Sequence, residues 1–189
     1  IAGTSAAIRI GLGAVAPAPF VFLDELGYEQ MARSFAHGGH FMLYGKSGLA
    51  YSPVYPILLS PIYALTSSAT AAYEAVKAVN AVLMSLSLFV AYAIARSILT
   101  RRQSLVVAGL AAIAPLMAYS SLELSENAAY PLCLLAVWVM LRAFRLPSPR
   151  TDLLLLVAIS LACAARLQLV ALVPAALTAI VLVALFEPA

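Results

Sequence analysis

From Leu153 to Phe186 the chain runs for 34 residues in which Arg166 and Gln168 are the only strongly polar side chains. One helix of that length would reach roughly 51 Å at about 1.5 Å per residue, well beyond a hydrocarbon core of about 30 Å. The stretch therefore reads as two membrane spans, with the turn around Ala165 to Gln168. Residues 153–165 make an unusually short span and residues 168–186 a full one.

Four further apolar segments approach spanning length: residues 6–23, broken by Arg9, Pro17 and Pro19, then 76–95, 105–119 and 128–144. The expected fold is an all-α, polytopic membrane helical bundle of about six spans. Composition supports this, since 64% of residues are hydrophobic and 10% charged, against about 25% charged in soluble domains. A soluble core could not hide that much apolar surface. The net charge of +3 would suggest nucleic acid in a soluble chain. Here the arginines flank apolar runs and read as topology signals, so no nucleic-acid partner is expected.

Arg96, Arg101 and Arg102 follow the second span, and Arg142, Arg145 and Arg150 follow the fourth. By the positive-inside rule both connections are cytoplasmic, and Arg9 near the start of the first span agrees. The segment 24–74, the short loop with Glu123 and Glu126, and the Arg166 turn then share the opposite, extracytoplasmic side. Cys133 and Cys163 lie in apolar stretches, which supports neither a disulfide framework nor a metal cluster. The chain is expected to be a single membrane module, 1–189, from the N-terminal part of a longer protein. A cleaved signal peptide is not expected, because the first apolar run leads straight into charged sequence.

The segment 24–74 is far longer than a connection between helices needs to be, and long loops of that kind are commonly functional. Glu25, Tyr28, Glu29, Ala32, Phe35 and Ala36 have helical spacing with one polar and one apolar face, which predicts a helix lying on the membrane surface. Residues 53–65, PVYPILLSPIYAL, are too short and proline-broken to cross, which predicts a re-entrant or interfacial segment.

Asp24 and Glu25 directly follow the apolar FVFL. Acids there can stabilise the dipole of the following helix, but the same loop also holds Tyr28, Tyr44, Tyr51, Tyr55, Tyr63, Arg33, His37, His40 and Lys46. FLDELGYEQMARSF, a glycine-containing stretch and YSPVYPILLSPIYAL together resemble the first extracytoplasmic loop of the GT-C membrane glycosyltransferases. The similarity is closest to the branch of protein O-mannosyltransferases and lipid A aminoarabinose transferases, with SLELSENAAYPL and ACAARLQ in comparable places. The specific element is D-E-x-x-Y, at Asp24, Glu25 and Tyr28.

The resemblance implies an integral membrane enzyme that moves a sugar, with inversion, from a polyprenyl-phosphate donor to a lipid, glycan or protein acceptor. By position, Asp24 matches the general base and Glu25 a residue that orients the site or holds a neighbouring cation. The departing phosphate needs positive charge, for which Lys46, Arg33 and Arg166 are the candidates. Arg166 interrupts an apolar stretch, where an ionisable residue is a functional candidate, although an arginine snorkelling at the end of two short helices would look the same. Tyr28, Tyr51, Tyr55 and Glu126 complete the expected substrate-binding set. The aminoarabinose branch carries a lysine beside its proline in the segment matching Tyr51 to Pro56; its absence here argues against that sugar.

No cofactor is required by this reading; a divalent cation on Asp24 and Glu126 is the one cofactor the pattern admits. Glu123, Glu126 and Asn127 could line the acceptor pocket, or Ser125 or Asn127 could cap the fourth helix. His37 and His40 have metal-compatible spacing without a third ligand and read as loop residues. Gly45-Lys46-Ser47 lacks the upstream glycine of a phosphate-cradling loop. The expected location is a plasma membrane, the inner membrane if bacterial, with the site on the extracytoplasmic face. The alternative is a lipid or small-molecule transporter or flippase fragment, which would need ionisable residues along a crossing path within the spans.

Overall fold

A computed structural model describes residues 1–15, 22–48, 51–114 and 119–186. Eight helices account for most of them: α1 (Ala2–Val15), α2 (Leu23–Gly38), α3 (Val54–Leu65), α4 (Ala69–Arg96), α5 (Arg101–Ala112), α6 (Glu126–Arg145), α7 (Pro149–Ala165) and α8 (Leu172–Phe186). A 3-10 turn over Leu167–Ala171 leads into α8. Between α2 and α3 lies a two-stranded antiparallel ribbon, β1 (Met42–Leu43) and β2 (Lys46–Ser47). Its turn takes Tyr44 and Gly45 at φ 51° and 76°, the left-handed pair that a tight hairpin requires. The chain is an all-α membrane helical bundle with this small ribbon added.

Three helical stretches are long and apolar enough to cross a bilayer: Ala69–Arg96, Glu126–Arg145 and Leu167–Phe186. Six helices fall where the six spans are expected, but α1, α5 and α7 are shorter than those three stretches, at 14, 12 and 17 residues. The expected C-terminal ends of the first and third spans fall partly outside the described residues, at 16–21 and 115–118. Boundaries also move. Ser68 accepts a hydrogen bond from the Ala71 amide at 3.3 Å, so α4 begins seven residues before position 76 and takes Tyr73 and Glu74 into the helix. Arg101 and Arg102 form the first turn of α5 rather than a connection. Ser148 and Pro149 start α7 four residues early, a cap followed by a proline at the first helical position.

Helix α4 is the centre of the bundle and packs on α1, α5 and α6, while α6 also packs on α7. Small residues make the latter approach possible: Ala136 and Ala143 face Ala158 and Ala162 in one buried cluster. Close backbone approach of this kind is how helices associate where lipid removes the hydrophobic driving force. The helix carrying Leu167–Phe186 is almost entirely uncovered by protein, as a lipid-facing span should be.

Arg9 is not at the arginine end. Ser5 meets Ser85 at 3.3 Å, and Lys77 Nζ donates to the Gly13 carbonyl at 2.7 Å, so α1 runs antiparallel to α4 and Arg9 lies between these two levels. Its guanidinium donates to Ser5 Oγ at 3.0 Å and to the Ala112 carbonyl at 2.6 Å. Arg9 and Lys77 are therefore both tied to protein groups, which removes the reading of Arg9 as a marker of the cytoplasmic boundary.

The arginines after α4 and α6 do gather. Arg145 donates to the Ser97 carbonyl at 2.9 Å, joining the two arginine-bearing connections at one end. At the opposite end Tyr73 donates to the Ser121 carbonyl at 3.1 Å and Asn80 Nδ2 to the Leu122 carbonyl at 2.9 Å. There α2 and α3 lie on α4 and α6 through a buried cluster of Tyr28, Ala32, Tyr55, Leu59, Tyr63, Val76 and Ala128. The expected re-entrant segment is thus a 12-residue helix, α3, whose buried Tyr55, Leu59 and Tyr63 repeat every four residues. Pro61 cannot donate to the Ile57 carbonyl; Ser60 Oγ does so instead, at 2.8 Å.

Candidate functional site

The Asp24–Glu25 pair opens α2, and adjacent positions on a helix point about 100° apart. Glu25 points inward. It is 5% exposed, its Oε2 accepts from the Glu123 amide at 3.0 Å, and its Oε1 accepts from the Phe22 amide at 3.4 Å. Burial raises its pKa, opposed by these two backbone donors. Glu25 therefore closes the first turn of α2 and ties it to the loop ahead of α6.

Asp24 points the other way and is exposed. Its Oδ1 accepts a hydrogen bond from the Tyr51 hydroxyl at 3.1 Å. The Tyr51 ring lies against Gly27, where a Cβ would come within 2.6 Å of a ring carbon, so only glycine leaves this slot open. Tyr51 and Tyr28 meet with centroids 5.1 Å apart, and Tyr28 meets Tyr55 edge-on at 5.4 Å. Burial is the main cause of raised pKa values at both Tyr28 and Tyr51, and the bond to Asp24 adds to it at Tyr51. Both phenols are thus kept as O–H donors.

Asp24, Tyr28 and Tyr51 form one wall of a cavity of about 490 Å³. Ser52 and Pro53 ahead of α3, Ser125 and Glu126 at the start of α6, Cys163 and Ala164 at the end of α7, and Arg166, Leu167 and Gln168 just after it line the rest. Helix α7 stops at Ala165, and Arg166 is extended at φ −157° and ψ 120° before the 3-10 turn. That break turns the guanidinium toward α6, where Nη1 pairs with Glu126 Oε1.

Of the expected site residues, the cavity brings together Asp24, Tyr28, Tyr51, Glu126 and Arg166. It does not include the others. Arg33 pairs with Glu29 at 2.9 Å and lies 4.7 Å over the Tyr63 ring. Lys46 is exposed on β2. Tyr55 is fully buried, its hydroxyl donating to Asn80 Oδ1 at 3.0 Å. Arg166 is therefore the cavity's one cation among the described residues. The two carboxylates Asp24 and Glu126 face the same space, but a divalent cation there would have to take Glu126 from Arg166. Among the described residues no three His, Cys, Asp or Glu side chains are grouped for a metal, and His37 and His40 are exposed at the end of α2.

Behind the cavity, and not lining it as expected of an acceptor pocket, Glu123 and Asn127 enter a buried network. Glu123 is 2% exposed and accepts from the Tyr63 hydroxyl through both carboxylate oxygens, at 2.8 and 2.9 Å. Burial pushes its pKa up to about 8, opposed by the Tyr63 bond and reinforced by Glu29 and Glu25. The sequence signal for this burial was its flanking by Leu122 and Leu124, an apolar setting for a carboxylate. Neither Ser125 nor Asn127 caps α6 through its side chain. Asn127 Nδ2 instead donates to the carbonyls of Tyr119, Leu122 and Leu124, at 3.1, 2.9 and 3.0 Å, which folds the preceding turn and holds Glu126 at the cavity edge.

A carboxylate exposed on one wall, phenolic donors beside it and a guanidinium opposite can accept a proton at one place and hold an anion at another. Residues 51–187 match the family model described as dolichyl-phosphate-mannose-protein mannosyltransferase, so the match spans Tyr51, Glu126 and Arg166 and begins after Asp24. No curated protein matches the chain. No solved structure matches it.

Proposed function

The chain belongs to the dolichyl-phosphate-mannose-protein mannosyltransferase family, a family of membrane glycosyltransferases of the GT-C type, and from that premise we propose that the cavity transfers a sugar from a polyprenyl-phosphate donor. The donor's hydrocarbon chain lies along the lipid-facing surface of the 3-10 turn and α8, where Leu167, Val170 and Leu177 are exposed. Its phosphate meets Arg166, and the sugar occupies the space beside Tyr28 and Tyr51.

Asp24 is the general base. As the acceptor hydroxyl attacks the anomeric carbon, its proton passes to the Asp24 carboxylate, the bond from that carbon to the phosphate oxygen breaks, and polyprenyl phosphate departs with the electron pair. One attack from the side opposite the leaving group inverts the anomeric centre. Tyr51 holds Oδ1, which leaves Oδ2 to receive the proton. Arg166 stabilises charge growing on the leaving phosphate. The acceptor, a lipid, glycan or protein, enters from the solvent side, and by the positive-inside rule that side is extracytoplasmic in a plasma membrane.

The single observation carrying this reading is that Asp24 and Arg166, 142 positions apart in the chain, line one cavity at the end of the bundle away from Arg145 and Ser97. Its test is transfer by the full-length protein in membranes, assayed with a panel of polyprenyl-phosphate-linked sugars. Asp24→Asn should lower turnover by about 10²–10⁴-fold, the usual contribution of a general base, while keeping the fold. Full transfer by Asp24→Asn would remove Asp24 as the base.

A further inference from the structure

Among the described residues lining the cavity, the charged groups are Asp24, Glu126 and Arg166, a net charge of −1 before any ligand enters. The guanidinium is already engaged, with Nη1 on Glu126 Oε1. A lipid phosphate adding further negative charge meets two carboxylates and one occupied cation. It can gain Arg166 only by taking it from Glu126.

We infer that Glu126 is a built-in competitor for the donor's phosphate: it holds Arg166 in the donor-free protein and yields it to the carrier, so that donor affinity and headgroup choice are set by this exchange. The inference rests on the proposed role of Arg166 as the phosphate's partner.

Three features suit the pair to exchange rather than to structural bracing. Its side chains keep 33% and 22% of their exposure, so parting them opens no core. Helices α6 and α7 are already joined by the alanine-rich cluster lower in the bundle. Glu126 is the first residue of α6, where the positive end of the helix dipole continues to favour its carboxylate after Arg166 leaves. A neutral headgroup has no charge to offer Arg166 and leaves the pair closed. The exchange therefore selects phosphorylated over unphosphorylated isoprenoids.

The test is binding of two probes, polyprenyl phosphate and the neutral polyprenol, to the full-length protein in lipid nanodiscs, with no turnover required. Glu126→Gln should bind polyprenyl phosphate about fivefold tighter, the scale of one partly exposed ion pair, with polyprenol affinity unchanged. Glu126→Ala removes the same charge and should do likewise, which guards against a defect peculiar to one variant. In an Arg166→Gln background the gain should shrink to what relief of charge repulsion alone supplies. Unchanged or weaker phosphate binding by both Glu126 variants at wild-type melting temperature would overturn the inference, as would a gain that is undiminished without Arg166 or extends to polyprenol. Equal phosphate binding by wild type and Arg166→Gln would remove the phosphate assignment itself, whereas Asp24→Asn transfer data test the base independently.

Discussion

The Tyr51 hydroxyl donates to Asp24 Oδ1 at 3.1 Å from a ring that occupies the slot left by Gly27. A residue in the approach to α3 thereby orients a carboxylate at the start of α2, and the absence of a side chain at position 27 is what permits it. Tyr28 and Tyr51 pack against each other beside the carboxylate, so the wall of the cavity is built before any substrate arrives.

This relationship predicts a paired effect at positions 27 and 51. Tyr51→Phe removes one hydrogen bond and should lower kcat by about tenfold, with a smaller change in KM, given about 1–1.5 kcal/mol for such a bond. Gly27→Ala, whose Cβ would fall 2.6 Å from the ring, should cost at least as much by displacing the ring. In Gly27→Ala/Tyr51→Ala the two losses should not add, because the clash is gone. Additive losses in steady-state kinetics would contradict the slot.

Asp24 and Glu25 should separate by assay. Glu25→Ala strips partners from the buried amide of Glu123 and from Phe22 and should destabilise the fold by about 1–3 kcal/mol, read as a lower midpoint in thermal or denaturant unfolding. Asp24→Asn, at an exposed position, should leave the midpoint near wild type while transfer fails. Equal midpoints for the two variants would contradict the division of roles.

Glu123 predicts a pH dependence of stability. Its carboxyl is raised from 4.5 to about 8, mainly by burial, so the native state holds a proton that the unfolded chain releases. For an acid shifted upward, the stabilisation is complete below the unfolded pKa near 4.5 and declines as pH rises toward 8, then levels off. Melting curves across that window should fall with pH in the wild type and lie flatter in Glu123→Gln, which stays neutral and retains an acceptor for Tyr63. A flat wild-type profile would contradict the raised carboxyl.

Lys77 offers a test of the bundle rather than the site. It is 4% exposed in α4, with Nζ on the Gly13 carbonyl and on Glu74 Oε1, both at 2.7 Å. Lys77→Met removes the charge but leaves that carbonyl without this donor and should cost about 1–3 kcal/mol. Cysteine cross-linking between α1 and α4 should weaken in the same variant; unchanged linking and melting would contradict the tether.

Several parts of this architecture are legible in the chain alone. Apolar length marks the helices, and the arginines after α4 and α6 mark one end because charged guanidinium groups stay out of hydrocarbon. The break between α7 and α8 is visible as Arg166 and Gln168 within 34 otherwise weakly polar or apolar residues. Starts were harder to place, since caps such as Ser68 and Ser148 and helix-forming residues such as Glu74 let α4 and α7 extend past their apolar runs.

Side-chain roles divide along a different line. Sequence singled out Asp24, Glu126 and Arg166, each for a local reason: a membrane boundary, a second acidic cluster and a charge in an apolar run. Only the family resemblance separated Asp24 from Glu25; the residues alone did not, because neighbouring acids look alike until the helix phase against α3 and α6 is known. Nor could it see that Arg33 is occupied by Glu29 and Tyr63 while Lys46 stands apart on the ribbon. Local composition determines where a chain enters and leaves the membrane, since each segment's transfer energy depends on its own residues. Which charges share a cavity depends on contacts between segments distant in sequence, and only the packing of α2, α6 and the end of α7 decided that.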